Sequence, residues 1–100
     1  MCWTYVIYSD SVDRFYIGST KERVEERISW RNSQTFGSKS FTARASDWQL
    51  YFAIEGDTIS LCRAMERHLK RMKSRDYLQR LKMDAARQRA LKDRMASLKH

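Results

Sequence analysis

Two tyrosines and a glycine stand out near the N-terminus, in the stretch "TYVIYSDSVDRFYIGST" from Thr4 to Thr20. Tyr5 precedes Tyr16 by eleven residues, and Tyr16 runs directly into Ile17 and Gly18. A phenolic hydroxyl both donates and accepts, so it can position a water or a phosphate oxygen and, with help, take a proton. Tyrosines aligned on adjacent strands can point into one shallow site, and a glycine beside them lets the chain turn and another backbone come close. Strand tyrosines also serve as ordinary amphipathic packing residues, so their chemistry depends on the elements that hold them. Other reactive groups are sparse. Cys2 and Cys62 form no CxxC pair, and the histidines are His68 and His100 alone. Neither a zinc site nor a disulfide scaffold is expected from that inventory.

Charge is distributed unevenly along the chain. Residues 1–62 carry seven Lys/Arg against eight acids, whereas residues 63–100 carry thirteen against four, so the whole excess of the net +8 lies in the C-terminal third. A one-sided basic surface attracts polyanions, nucleic acid first among them, although a basic helix face is also an ordinary way to stay soluble. No apolar stretch approaches the ~20 residues of a membrane span. The opening "MCWTYVIYS" has neither a basic start nor a long apolar run, so a cytoplasmic, reducing setting is expected.

The elements follow from period and punctuation. Residues 3–9 and "RFYIG" are β-branched and aromatic, and the polar "DSVD" between them reads as the turn of a hairpin. After Gly18 the period changes, and a helix is expected over 21–32, capped by Ser19 or Thr20. "SQTFGSKSFTARASD" reads as a loop carrying Lys39 and Arg44, and "WQLYFAI" as a third strand. A helix near 59–73, capped by Asp57 or Thr58, puts Leu61, Ala64, Met65, Leu69 and Met72 on one face, and Ser74 marks a break. A last helix over 76–98 carries an apolar stripe of Ala85, Leu91, Met95 and Leu98. The order β-β-α-β-α-α predicts an α+β fold, a small three-stranded antiparallel sheet flanked by helices. Trp3, Trp30, Trp48, Tyr8 and Phe52 are read as packing residues.

"TYVIYS" with "FYIGST" resembles the paired motif of the GIY-YIG nuclease family, in its compact single-domain branch. "EERI" is similar to the family's first helix with its arginine, "GSKSFTA" to a basic Ser/Thr loop and "DWQLYF" to the third strand. "SLCRAMERHLKRMKSRDYLQRL" is similar to the helix that follows. The five stretches come in the family's order and span roughly residues 3 to 81. Residues 1–82 are therefore read as a nuclease-like domain, and 83–100 as a basic amphipathic helical extension of it.

The resemblance implies an endonuclease that hydrolyses DNA phosphodiesters with one Mg²⁺ or Mn²⁺. It puts the first-motif tyrosine on Tyr5, the second motif on Tyr16, Ile17 and Gly18, the helix arginine on Arg27 and the metal-binding glutamate on Glu66. Arg27 comes one residue later than the usual spacing, so the first turn must absorb an extra residue. The family's histidine four positions on is Arg31 here, followed by Asn32. Glu66 suits a hard cation that keeps waters and phosphate oxygens in its shell. Arg27 offers a planar fork to the phosphate. Tyr5 is the candidate to take a proton from the attacking water, helped by the arginine or the metal, while Tyr16 positions water or phosphate. Gly18, Arg31, Lys39, Arg44, Lys70, Lys73 and Arg75 are the candidate DNA contacts. The missing histidine favours the alternative, a catalytically silent nucleic-acid-binding module on the same fold. The expected state is a monomer or a weak homo-oligomer formed through the last helix, with either weak sequence selectivity or selectivity for a DNA structure.

Overall fold

The computed structural model describes residues 2–33 and 45–97. Strands β1 (Cys2–Ser9) and β2 (Arg14–Thr20) form the expected hairpin. Its turn passes through Asp13 with φ 51°, a left-handed conformation that a short polar aspartate tolerates. The Tyr8 hydroxyl donates to the Asp13 carboxylate, and Arg75 donates to it at 2.9 Å. These contacts, the Tyr8 hydrogen bond first, hold the Asp13 carboxyl below its usual range. Strand β3 (Gln49–Gly56) pairs with the other edge of β1, giving an antiparallel sheet in the order β2-β1-β3.

The described residues form four helices, α1 (Val24–Ser33), α2 (Ile59–Met72), α3 (Arg75–Met83) and α4 (Ala85–Ala96); α1, α2 and α4 pack on the sheet and α3 packs on α4. The fold is the expected α+β, with one helix more than the sequence suggests. The periodic pattern runs on across residue 84, but Asp84 takes extended backbone and its carboxylate accepts from the amides of Ala86 and Arg87 at 3.0 and 3.3 Å. A side chain that caps this well stops one helix and starts the next. Ser74 does the same before α3, accepting from Tyr77 N at 3.1 Å, and Thr58 caps α2.

Helix α1 begins at Val24, later than expected. Neither Ser19 nor Thr20 caps it. The Thr20 hydroxyl instead accepts from Glu22 N at 2.9 Å, closing a turn ahead of the helix.

Strand β1 is covered on both sides because successive side chains alternate faces. Tyr5 and Ile7 join Val24, Ala45 and Trp48 in one buried cluster. Cys2 and Val6 join Phe52 and Ile54 of β3 and the apolar faces of α2, α3 and α4 in the other. Leu61, Ala64, Met65 and Leu69 are buried as their spacing predicts, whereas Met72 stays 44% exposed. Leu91 and Met95 are buried in the same core, Ala85 is exposed, and Leu98 lies outside the described residues. Among the described residues no helix is long and apolar enough to cross a membrane.

Candidate active site

The hairpin register settles how the tyrosines meet. Tyr5 pairs with Gly18 and Ile7 with Tyr16, so Tyr5 and Tyr16 are diagonal neighbours on one face of the sheet. Their ring centroids are 6.5 Å apart. Gly18 is opposite Tyr5, and a Cβ built on it would lie 2.6 Å from the Tyr5 hydroxyl and 2.8 Å from Cζ. The glycine thus leaves the space that the phenol fills. Tyr5 is fully buried and cannot swing aside, so Gly18→Ala is expected to cost about 2 kcal/mol of stability. Chemical denaturation reads this directly; an unchanged midpoint would mean that the phenol and strand relax freely.

Arg31, from the last turn of α1, reaches both hydroxyls. Its Nε donates to Tyr5 Oη at 3.2 Å and its Nη2 to Tyr16 Oη at 3.1 Å. The guanidinium also lies 4.3 Å from the centre of the Tyr16 ring, and the residue is only 8% exposed. A buried arginine needs its donors engaged, and two phenols supply part of that. The next residue anchors the helix end: Asn32 Nδ2 donates to the Trp48 carbonyl at 3.0 Å, and Trp48 N donates to Asn32 Oδ1 at 2.7 Å.

Glu66 belongs to the opposite side of the edge strand β2. Successive residues of a strand point to opposite faces, so Ser19 points away from the Gly18 face, toward α2. Ser19 Oγ donates to Glu66 Oε1 at 2.6 Å, with the Cys62 carbonyl 3.1 Å away as a second acceptor. Lys70 Nζ is 2.6 Å from Glu66 Oε2, in the next turn of α2. Both carboxylate oxygens are therefore engaged. The backbone of Gly18–Ser19 joins the tyrosine–arginine cluster on one face to the carboxylate on the other.

Arg27 lies one turn before Arg31 on α1. Its guanidinium stacks 4.8 Å from the Trp30 ring centre, and its Nε is buried with no hydrogen-bond partner among the described residues. Lys70, Lys73 and Arg75 line a cavity of about 350 Å³ with Arg14 and Tyr16, between β2 and the α2–α3 junction. Arg75 is also tied to Asp13, donating to its carbonyl at 2.5 Å. Lys39 and Arg44 lie outside the described residues. Sequence reasoning considered Ser19 only as a helix cap; alternation after Gly18 was the signal that turns it toward α2.

The family model of the GIY-YIG catalytic domain matches residues 1–82. This chain belongs to the GIY-YIG family. No curated protein and no solved structure matches it. GIY-YIG domains are generally endonucleases and typically use divalent metals. Glu66 is the carboxylate such an ion would use, and Ser19 Oγ and Lys70 Nζ hold its two oxygens in this structure. Among the described residues no group of three or more His, Cys, Asp or Glu gathers, but Glu66 and Ser19 present hard oxygens side by side. Mg²⁺ needs little more from a protein, since it keeps waters and takes phosphate oxygens.

Proposed function

We propose that this GIY-YIG chain is an endonuclease that hydrolyses DNA phosphodiester bonds with one Mg²⁺ or Mn²⁺ held by Glu66. The observation that carries the reading is the convergence of Tyr5 and Tyr16 on the single guanidinium of Arg31, with the Ser19–Glu66 pair on the opposite face of the same strand, β2. Tyr16 is half-buried and Tyr5 fully buried, so a substrate phosphate meets the pair from the Tyr16 side. Tyr16 orients the water or phosphate there. The water oxygen forms the new bond to phosphorus as its proton passes to the oxygen of Tyr5, acting as the phenolate after its own proton has gone to solvent, with the positive charge of Arg31 aimed at that oxygen. The bond from phosphorus to the leaving oxygen breaks, and that oxygen takes a proton from solvent water. Arg27 contributes donors to the phosphate, its buried Nε, with no partner among the described residues, being a group that a phosphate oxygen would satisfy. When bound, the divalent ion supplies Lewis acidity toward the phosphate. Lys70 and Ser19 hold the Glu66 carboxylate in one orientation until then.

A second reading, the silent binding module, is favoured by the engagement of both Glu66 oxygens and by the arginine at the histidine position. Supercoiled plasmid incubated with Mg²⁺ or Mn²⁺, beside an EDTA control, separates the two. Nicked or linear product that disappears with EDTA is expected; intact plasmid under every metal condition would leave only the binding module. In the same assay Tyr5→Phe is expected to lower cleavage by about 10²–10³-fold, the usual size of a proton-transfer contribution, while DNA affinity stays within about twofold because many phosphate contacts supply it. Cleavage by Tyr5→Phe at the parent rate would reduce Tyr5 to a support for Arg31.

A further inference from the structure

Trp30 does not pack as the sequence suggests. It is 46% exposed, and a large aromatic left in water is the informative kind of surface residue. Leu50, Met72 and Met83 are also exposed, but they are aliphatic and offer no π face. Trp30 has two cations beside it. Arg27 lies 4.8 Å from its ring centre and Arg31 lies 5.9 Å away. The spacing 27, 30, 31 puts all three on one face of α1. Arg31 also reaches the Tyr16 ring and hydroxyl, so an unbroken row runs from Arg27 through Trp30 and Arg31 to Tyr16.

Such a row suits a nucleic-acid strand with a free base. Guanidinium groups attract the phosphates, and the open part of the indole accepts a flat π partner. A duplex cannot supply that partner, because its bases are stacked on both faces inside the helix; a single-stranded, frayed or flap segment can. We propose that Trp30 is a stacking platform for an unpaired nucleobase beside the scissile phosphate, which makes DNA with a single-stranded segment the preferred substrate; this rests on the nuclease reading above.

The test is binding in EDTA, where no cleavage interferes. Fluorescein-labelled duplex with a short oligothymidine overhang is compared with the same duplex blunt-ended, by anisotropy. The native protein is expected to bind the overhang more tightly. Trp30→Ala should weaken overhang binding about tenfold, within the range for one stacked base, and blunt-duplex binding by less than about twofold. Trp30→Phe should keep most of the preference, and Trp30→Leu, which preserves apolar bulk without a π face, should behave as Ala does. Equal losses on both DNAs, or no loss on either, would overturn the platform. Metal-dependent plasmid cutting is measured in parallel. If the plasmid is cut while Trp30→Ala binds the overhang normally, the platform is wrong and the nuclease stands. If nothing is cut but the overhang preference still depends on Trp30, the platform stands on a binding module.

Discussion

Glu66→Gln is expected to reduce DNA cleavage by roughly three orders of magnitude, about 4 kcal/mol of transition-state stabilisation, while the protein stays folded. The substitution preserves size and one acceptor oxygen, so the hydrogen bond from Ser19 Oγ, 2.6 Å in the native protein, has a partner to keep. It removes the charge that draws a divalent ion. The ion pair with Lys70 is lost, but Lys70 is about half exposed and can turn its ammonium to water. Pairs of this kind contribute about 0–1 kcal/mol, so the melting temperature should shift by no more than about 4–8 °C. DNA affinity in EDTA should hold or rise, because a negative charge near the phosphates has gone. Three readouts check this: plasmid conversion over time, thermal melting and anisotropy with labelled DNA. A Glu66→Gln protein that cuts at the native rate would refute the single-carboxylate metal site.

The largest effect on stability is expected from Arg31→Met. Two terms oppose each other. Taking a buried guanidinium out of the fold relieves its desolvation, and replacing buried ions by apolar groups is often neutral. Against that, Arg31 donates to two phenols, and Tyr5 is fully buried. Methionine cannot donate, so the Tyr5 hydroxyl loses that donor, at about 1–3 kcal/mol. The stacking on the Tyr16 ring, worth about 0.5–2 kcal/mol, also goes. The two losses should outweigh the relief, for a net loss of about 3 kcal/mol and a melting temperature ~15 °C lower. Cleavage should be undetectable. The pairing itself is tested by adding Tyr5→Phe: the double variant should recover about 1–2 kcal/mol relative to the sum of the single variants, because the orphaned hydroxyl is gone. Simple additivity, or an Arg31→Met protein that melts with the native one, would show that Arg31 is an incidental occupant of the sheet face.

The sequence alone determined what is local. The β-branched and aromatic runs around a polar turn specify the hairpin, and the 3.6-residue period specifies the buried face of α2 at Leu61, Ala64, Met65 and Leu69. The motif order pointed to the family that matches residues 1–82. Asp84 was harder to read, since an aspartate inside a periodic pattern looks like a solvated helix residue until its carboxylate is seen accepting from two amides. Trp30 was misread for the converse reason: a tryptophan is usually buried, and only its neighbours decide otherwise.

The site itself was decided by tertiary structure. Tyr5 and Tyr16 share a face because the register opposes Tyr5 to Gly18, not because of their spacing alone. Arg31 is by type a surface residue, and it is buried because two hydroxyls from β1 and β2 meet its nitrogens across 26 and 15 residues of chain. Ser19 faces Glu66 across 47 residues because α2 lies under that side of the edge strand. A buried charge is tolerable only where the fold gathers its partners, and partners so far apart in the chain leave no periodic trace in it.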